Sequence, residues 1–89
     1  ILFVHVDDLG WGDLSSYGQK RFSTPHLDRL AAEGTRFTDY YAGTAVCAPS
    51  RASLLTGRHT GHVSVRGNGD VPLDPADVTF AEVLRAAGY

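Results

Sequence analysis

The first six residues, ILFVHV, form a nearly continuous apolar run that ends at two carboxylates, Asp7 and Asp8. Such runs are typical of a strand buried on both faces, as in a parallel sheet covered by helices. A second strand is predicted over residues 35–42. Three other segments combine helical spacing with a glycine at the end: residues 23–34, 47–57 and 79–88. Strands that alternate with helices predict an α/β architecture.

The composition limits which partners are reasonable. The chain has 89 residues, of which 43% are hydrophobic and 20% are charged, and this is typical of a globular protein. Its net charge of -2 and its scattered basic residues argue against nucleic acid as a partner. No apolar stretch approaches the roughly 20 residues that cross a bilayer. One cysteine, Cys47, cannot form an internal disulfide.

The carboxylate pair suggests a metal site. A strand over residues 1–6 would deliver Asp7 and Asp8 to the carboxyl edge of a sheet, where ligands bind in open α/β folds. Two adjacent carboxylates repel each other, and a hard divalent cation with oxygen ligands would relieve that repulsion. The alternative is that one aspartate caps the following turn and the other is solvated. The pair alone leaves both interpretations open.

The segment CAPSRASLLTGR, residues 47–58, places the cysteine at the start of a predicted helix. Free N–H groups at a helix N-terminus attract anions and make a thiol there more reactive. Arg51 lies four residues after Cys47, on the same side of the helix, and its guanidinium suits a tetrahedral oxyanion. The alternative is a small buried cysteine with Arg51 paired at the surface. A cysteine phosphatase is disfavoured, because the short intervening segment contains Pro49, which has no N–H.

Cys47-Ala48-Pro49-Ser50-Arg51, followed by LTGR, resembles the defining motif of the type I sulfatases. VDDLGWGDLSSYG resembles the first metal loop of that family, and STPHLDRLAAEGTRFTDYYA and TFAEVLRAAGY resemble the segments that follow in the same order. The resemblance covers essentially the whole chain. It implies the N-terminal part of an alkaline-phosphatase-like α/β sandwich, with a mixed, mostly parallel sheet flanked by helices.

The same resemblance implies the chemistry. Cys47 would be oxidised by a formylglycine-generating enzyme to formylglycine, whose hydrate attacks the sulfur of a sulfated small molecule or glycan. Asp7, Asp8 and the converted Cys47 would bind a divalent ion, usually Ca²⁺, and Arg51 would offset negative charge. Family members are mostly periplasmic, secreted or lysosomal.

The chain begins at Ile1 without a methionine and stops just after a predicted helix. We therefore expect residues 1–89 to be the N-terminal portion of one catalytic domain and to be inactive alone, because the family's later site residues are absent. A formylglycine-dependent phosphonate monoester or phosphodiester hydrolase would share the motif, and a non-catalytic metal- and anion-binding domain remains an alternative. His59 and His62 are a weak zinc signal, and Arg66 or Asn68 is a candidate to approach substrate.

Overall fold

The computed structural model describes all residues, Ile1–Tyr89, and contains helices but no β-strand. The helices are α1 (Pro25–Glu33), α2 (Cys47–Thr56) and α3 (Phe80–Ala86), and two short 3-10 turns precede them, Trp11–Asp13 and Ser15–Tyr17. None of these helices has the length and apolar character required to cross a bilayer. The contacts divide the chain into two compact units, residues 4–40 and residues 1–3 with 41–89, each described by itself.

The ends of the helices follow from local sequence. Helix α3 begins after Thr79, whose hydroxyl accepts from the Glu82 N–H while the Glu82 carboxylate accepts from the Thr79 N–H. This reciprocal capping box holds the pKa of Glu82 below its ordinary value. Helix α2 ends at Gly57, which adopts the left-handed conformation with φ of 68°. Pro25 occupies the first turn of α1, and Gly34 follows its last residue. All three predicted helices are confirmed.

The unit that contains α2 and α3 has a small apolar core. Ala52 of α2 packs with Val63 and Val65, and all three are at most 5% exposed. The two valines belong to the long segment between the helices, which has no regular secondary structure, as predicted. Leu73 and Ala48 pack against this cluster. A loop without helix or strand is therefore fixed to α2 by its own side chains.

An ion pair joins the two ends of that loop. The Arg58 guanidinium donates to a carboxylate oxygen of Asp77 over 2.5 Å, and the Asp77 side chain is only 5% exposed. Between these ends, residues 69–72 are all exposed. The loop is thus held at its ends and in its first half, whereas residues 69–72 lie at the surface.

The predicted strands over residues 1–6 and 35–42 are not formed. Both segments are irregular, and the apolar side chains of the first segment are all at least half exposed, with Leu2 90% exposed. A strand acquires its backbone hydrogen bonds from a neighbouring strand, and no such pairing exists within these residues. The sheet expected from the apolar run is therefore absent from this structure.

In the other unit, hydrogen bonds between side chains connect the second 3-10 turn to α1. The hydroxyl of Ser15 donates to Asp28 over 2.5 Å, and the hydroxyl of Thr24 donates to the same carboxylate over 3.0 Å. Because both bonds favour the ionised form, they lower the pKa of Asp28, with Ser15 making the larger contribution.

Replacing Ser15 by alanine is expected to raise the pKa of Asp28 toward the ordinary aspartate value, and Thr24→Ala is expected to raise it less. The folded-state pKa is depressed, so the ionised carboxylate stabilises this unit above the unfolded-state value of about 3.9. That stabilisation is lost as the pH falls through the folded-state pKa. Carbon NMR titration of the Asp28 carboxyl measures the shift. An unchanged pKa in Ser15→Ala would contradict the assignment.

Candidate active site

Helix α2 begins at Cys47, so the cysteine is its first residue. Val46 before it is extended, with φ of -107° and ψ of 134°, and provides no side-chain cap. The Ser50 N–H makes a hydrogen bond to the Val46 carbonyl over 3.1 Å, and Pro49 has no N–H. The N–H groups of the first turn that the helix itself does not use are therefore those of Cys47 and Ala48.

The side chain of Asn68 lies at this helix start. Its amide oxygen accepts a hydrogen bond from the Ala48 N–H over 3.2 Å and one from the Cys47 thiol over 3.4 Å. Asparagine is one of the best residues for capping a helix N-terminus, and here it is supplied from 20 residues farther along the chain. Arg66 or Asn68 was a candidate to approach substrate, and in the structure Asn68 contacts the candidate nucleophile.

The position of Asn68 depends on the preceding loop. Val63 and Val65 are buried against α2, so the backbone three residues before Asn68 is anchored. The Arg66 guanidinium donates to the carbonyl of Gly61 over 3.0 Å and to that of Val63 over 3.4 Å. Arg66 therefore links residues of the same loop, and these contacts give Arg66 a structural role.

Cys47 and Arg51 lie on the outer surface of α2. Both side chains are exposed, and they are separated by about one helical turn. The alternative of a buried cysteine is therefore wrong. An exposed thiol, a helix N-terminus and a guanidinium together form a surface that favours a bound anion.

The Asp7–Asp8 pair lies in an exposed turn of the other unit. Asp8 has φ of 54° and is the only residue other than glycine with a positive φ. Aspartate adopts this left-handed conformation more readily than most residues, although it still costs energy. This conformation could not be predicted from the sequence, because two adjacent aspartates do not specify it.

The two histidines after α2 pack against each other. The rings of His59 and His62 meet edge to face with centroids 4.4 Å apart, and the Gly61 N–H donates to Nδ1 of His59. Across the chain, no three or more histidine, cysteine, aspartate or glutamate side chains gather in a way that could hold a metal ion. A zinc site at the histidines has no further ligand in this chain.

The structure therefore brings together part of the predicted site. Cys47 and Asn68 are in contact at the start of α2, and Arg51 lies one turn farther along the same helix. Asp7 and Asp8 form a turn in the other unit. The ligand set of Asp7, Asp8 and Cys47 remains a prediction.

A family model described as Sulfatase matches residues 1–89. The chain is 51% identical to arylsulfatase A of Bos taurus over 96 aligned residues, which cover all of this chain and 18% of that protein. It is 47% identical to an N-acetylgalactosamine-6-O-sulfatase of Bacteroides thetaiotaomicron, again over all of this chain and 18% of the relative. With steryl-sulfatase of Mus musculus the identity is 43% over 99% of this chain and 16% of the relative. The chain thus spans less than a fifth of the length of these relatives.

Proposed function

This chain belongs to the sulfatase family, and from that membership we propose that the full-length protein hydrolyses sulfate esters at a formylglycine made from Cys47. The observation that supports this most directly is the position of the motif cysteine. Cys47 is the exposed first residue of a helix, with Arg51 one turn behind it. A nucleophile in that position is accessible, and the groups around it favour an anionic sulfate.

Each residue of the motif has a role in this proposal. Once converted, the side chain of residue 47 supplies a hydroxyl of a hydrated aldehyde as the nucleophile, so a hard substitution divides into two easier ones. The Arg51 guanidinium offsets negative charge that remains on the sulfate oxygens. The N-terminal end of α2 adds its partial positive charge at the same place. A formylglycine-generating enzyme is the partner that this conversion requires.

A divalent cation fits the chemistry of the Asp7–Asp8 turn. Both side chains are exposed, and their carboxylate oxygens are the ligands that hard cations prefer. We propose Ca²⁺, bound by Asp7, Asp8 and the converted side chain of residue 47. Calcium takes six to eight oxygens, so further ligands must come from elsewhere. When bound, the ion would stabilise negative charge on the sulfate group.

Family membership implies an α/β fold of the alkaline-phosphatase type. We propose that residues 1–89 are the N-terminal portion of one catalytic domain and that residues 1–6 pair with strands outside them, in a mostly parallel sheet flanked by helices. The exposed apolar side chains of Leu2 and Val4 support this, because such a run is stable when both of its faces are covered. Separated from those neighbours, residues 1–89 are expected to be inactive.

The substrate class is a sulfate ester on a small molecule or a glycan. The relatives are named for an aryl sulfate, a sulfated amino sugar and a steryl sulfate. Relatives of comparable sequence identity are named for different sulfated compounds. The comparison therefore supports sulfate ester hydrolysis more strongly than it supports any one substrate. Residues 1–89 supply Cys47 and Arg51 to the proposed reaction, and we propose no single substrate from them.

Cys47 is expected to be converted to formylglycine when the full-length protein is produced together with a formylglycine-generating enzyme. The conversion lowers the mass of the Cys47 peptide by about 18 Da, because CH₂–SH is replaced by CHO. Peptide mass spectrometry measures this loss. A thiol that stays unmodified, in cells that convert a control sulfatase, would contradict the proposal.

Asp7→Asn and Asp8→Asn are each expected to lower calcium affinity and turnover together. Removing a residue that hydrogen-bonds to a metal ligand commonly lowers metal affinity or activity about 10-fold to 100-fold. Removing a ligand itself should lower them at least about 10-fold. Asparagine suits position 8, because it removes the charge and still tolerates the positive φ. Calorimetric calcium titration and steady-state kinetics measure both effects. Asp70→Asn, at an exposed loop position, is the matched control. Normal calcium affinity in both variants would show that Asp7 and Asp8 form a turn and do not bind the ion.

The converted full-length protein is expected to turn over an activated aryl sulfate with a higher kcat/KM than a phenyl phosphonate, and Cys47→Ala should abolish both activities. Parallel assays on the two substrates, normalised to formylglycine content, give this comparison. The reverse preference would assign the protein to the phosphonate monoester or phosphodiester hydrolases. Fully converted protein without activity on either substrate would favour a non-catalytic binding domain.

A further inference from the structure

We propose that Asn68 is a positioning residue for the side chain at position 47, an inference that rests on the proposed function. The Asn68 amide oxygen accepts from both the Ala48 N–H and the Cys47 thiol. A carbonyl oxygen has two lone pairs, so it can accept both bonds at once. One atom thereby fixes the start of α2 and the direction of the side chain that performs the chemistry.

Conversion of Cys47 strengthens this contact. A thiol is a weak hydrogen-bond donor, whereas a hydroxyl of the hydrated aldehyde is an ordinary one. The Asn68 oxygen therefore binds one hydroxyl of the hydrate and limits rotation about the Cα–Cβ bond. The bond also favours the hydrate over the aldehyde, because the aldehyde has no hydroxyl to donate. Such prior orientation of a nucleophile lowers the entropic part of a barrier.

The surrounding loop makes Asn68 suited to this role. Val63 and Val65 are buried, and Arg66 binds two loop carbonyls, so the backbone that leads to Asn68 is held at several points. Asn68 is also the only asparagine in the chain. No residue next to α2 replaces it, since Val46 provides no cap.

Two variants of the full-length, converted protein test this role against a merely structural one. Asn68→Ala removes the acceptor and is expected to lower kcat on an aryl sulfate about 10-fold to 100-fold, the usual cost of losing a partner that orients a site group. Its KM should change less, because Asn68 contacts residue 47 rather than the substrate. Asn68→Asp retains an acceptor oxygen and a good helix cap. It should restore most of kcat while raising KM, since its charge repels the sulfate.

A second readout does not involve turnover. An aminooxy probe condenses with the free aldehyde and releases water, whereas the hydrate must first lose water. Asn68→Ala is therefore expected to be labelled several-fold faster than the wild type, and Asn68→Asp close to the wild-type rate. Asp70→Ala, in the same exposed loop, should leave labelling, kcat and KM unchanged.

The outcomes separate the two proposals. Wild-type protein that shows neither the mass loss at Cys47 nor probe labelling would overturn the proposed function itself. Suppose that the wild type is converted and active. If Asn68→Ala then has the same kcat per converted site as the wild type, or the same rate of probe labelling, the role of Asn68 alone would be overturned. If Asn68→Ala fails to fold in a thermal melt, Asn68→Asp decides, because it preserves the cap. A fall in kcat for Asn68→Asp as large as the 10-fold to 100-fold fall expected for Asn68→Ala would also contradict the role.

Discussion

The packing of two loop valines on α2 determines the geometry at the start of that helix. Val63 and Val65 are buried against Ala52, and full burial of a valine contributes roughly 1.5–3 kcal/mol. The loop has no helix or strand to order its backbone, so this apolar contact does so instead. The chain then reaches Asn68 within three residues of Val65. A polar contact at an exposed site is thus held in place by a nearby apolar one.

The start of α2 combines the charge of Arg51 with the dipoles of the helix, and each of these alone attracts an anion only weakly. A helix N-terminus at the surface contributes about 0.3–1 kcal/mol toward a bound anion, which is too little to hold a sulfate by itself. The Arg51 guanidinium adds a full charge on the same side of the helix. Because Pro49 cannot donate and Asn68 occupies the Ala48 N–H, few backbone donors remain for a ligand. The proposed binding of sulfate at this end of the helix would therefore depend more on Arg51 than on backbone groups.

Local features of the fold were predictable from the sequence, whereas features that need a distant partner were not. The start of α3 is set by the capping box of Thr79 and Glu82, and the end of α2 by the left-handed Gly57. Each involves residues only a few positions apart, so the sequence predicted both helix ends. The predicted strand over residues 1–6 is not formed, because a strand needs a neighbouring strand and none is present in these 89 residues. The motif placed Cys47 and Arg51 correctly on α2. The contact of Asn68 with Cys47 spans 21 residues, and its only local signal is that Val46 cannot cap the helix.

The buried and hydrogen-bonded residues of the loop between α2 and α3 indicate where this chain would accept extra residues at the lowest cost. Residues 61–68 are held by buried valines, by Arg66 and by Asn68, so an insertion there would displace the site. Residues 69–72 are exposed and lie before the ion pair of Arg58 with Asp77. Doubling the length of a flexible loop costs only about 0.6 kcal/mol, so we expect the fold to accept added residues in this stretch. Alignments of 93 to 101 residues with an 89-residue chain show that relatives do differ in length. Within this loop, residues 69–72 are the stretch where extra residues would disturb the fewest of the described contacts.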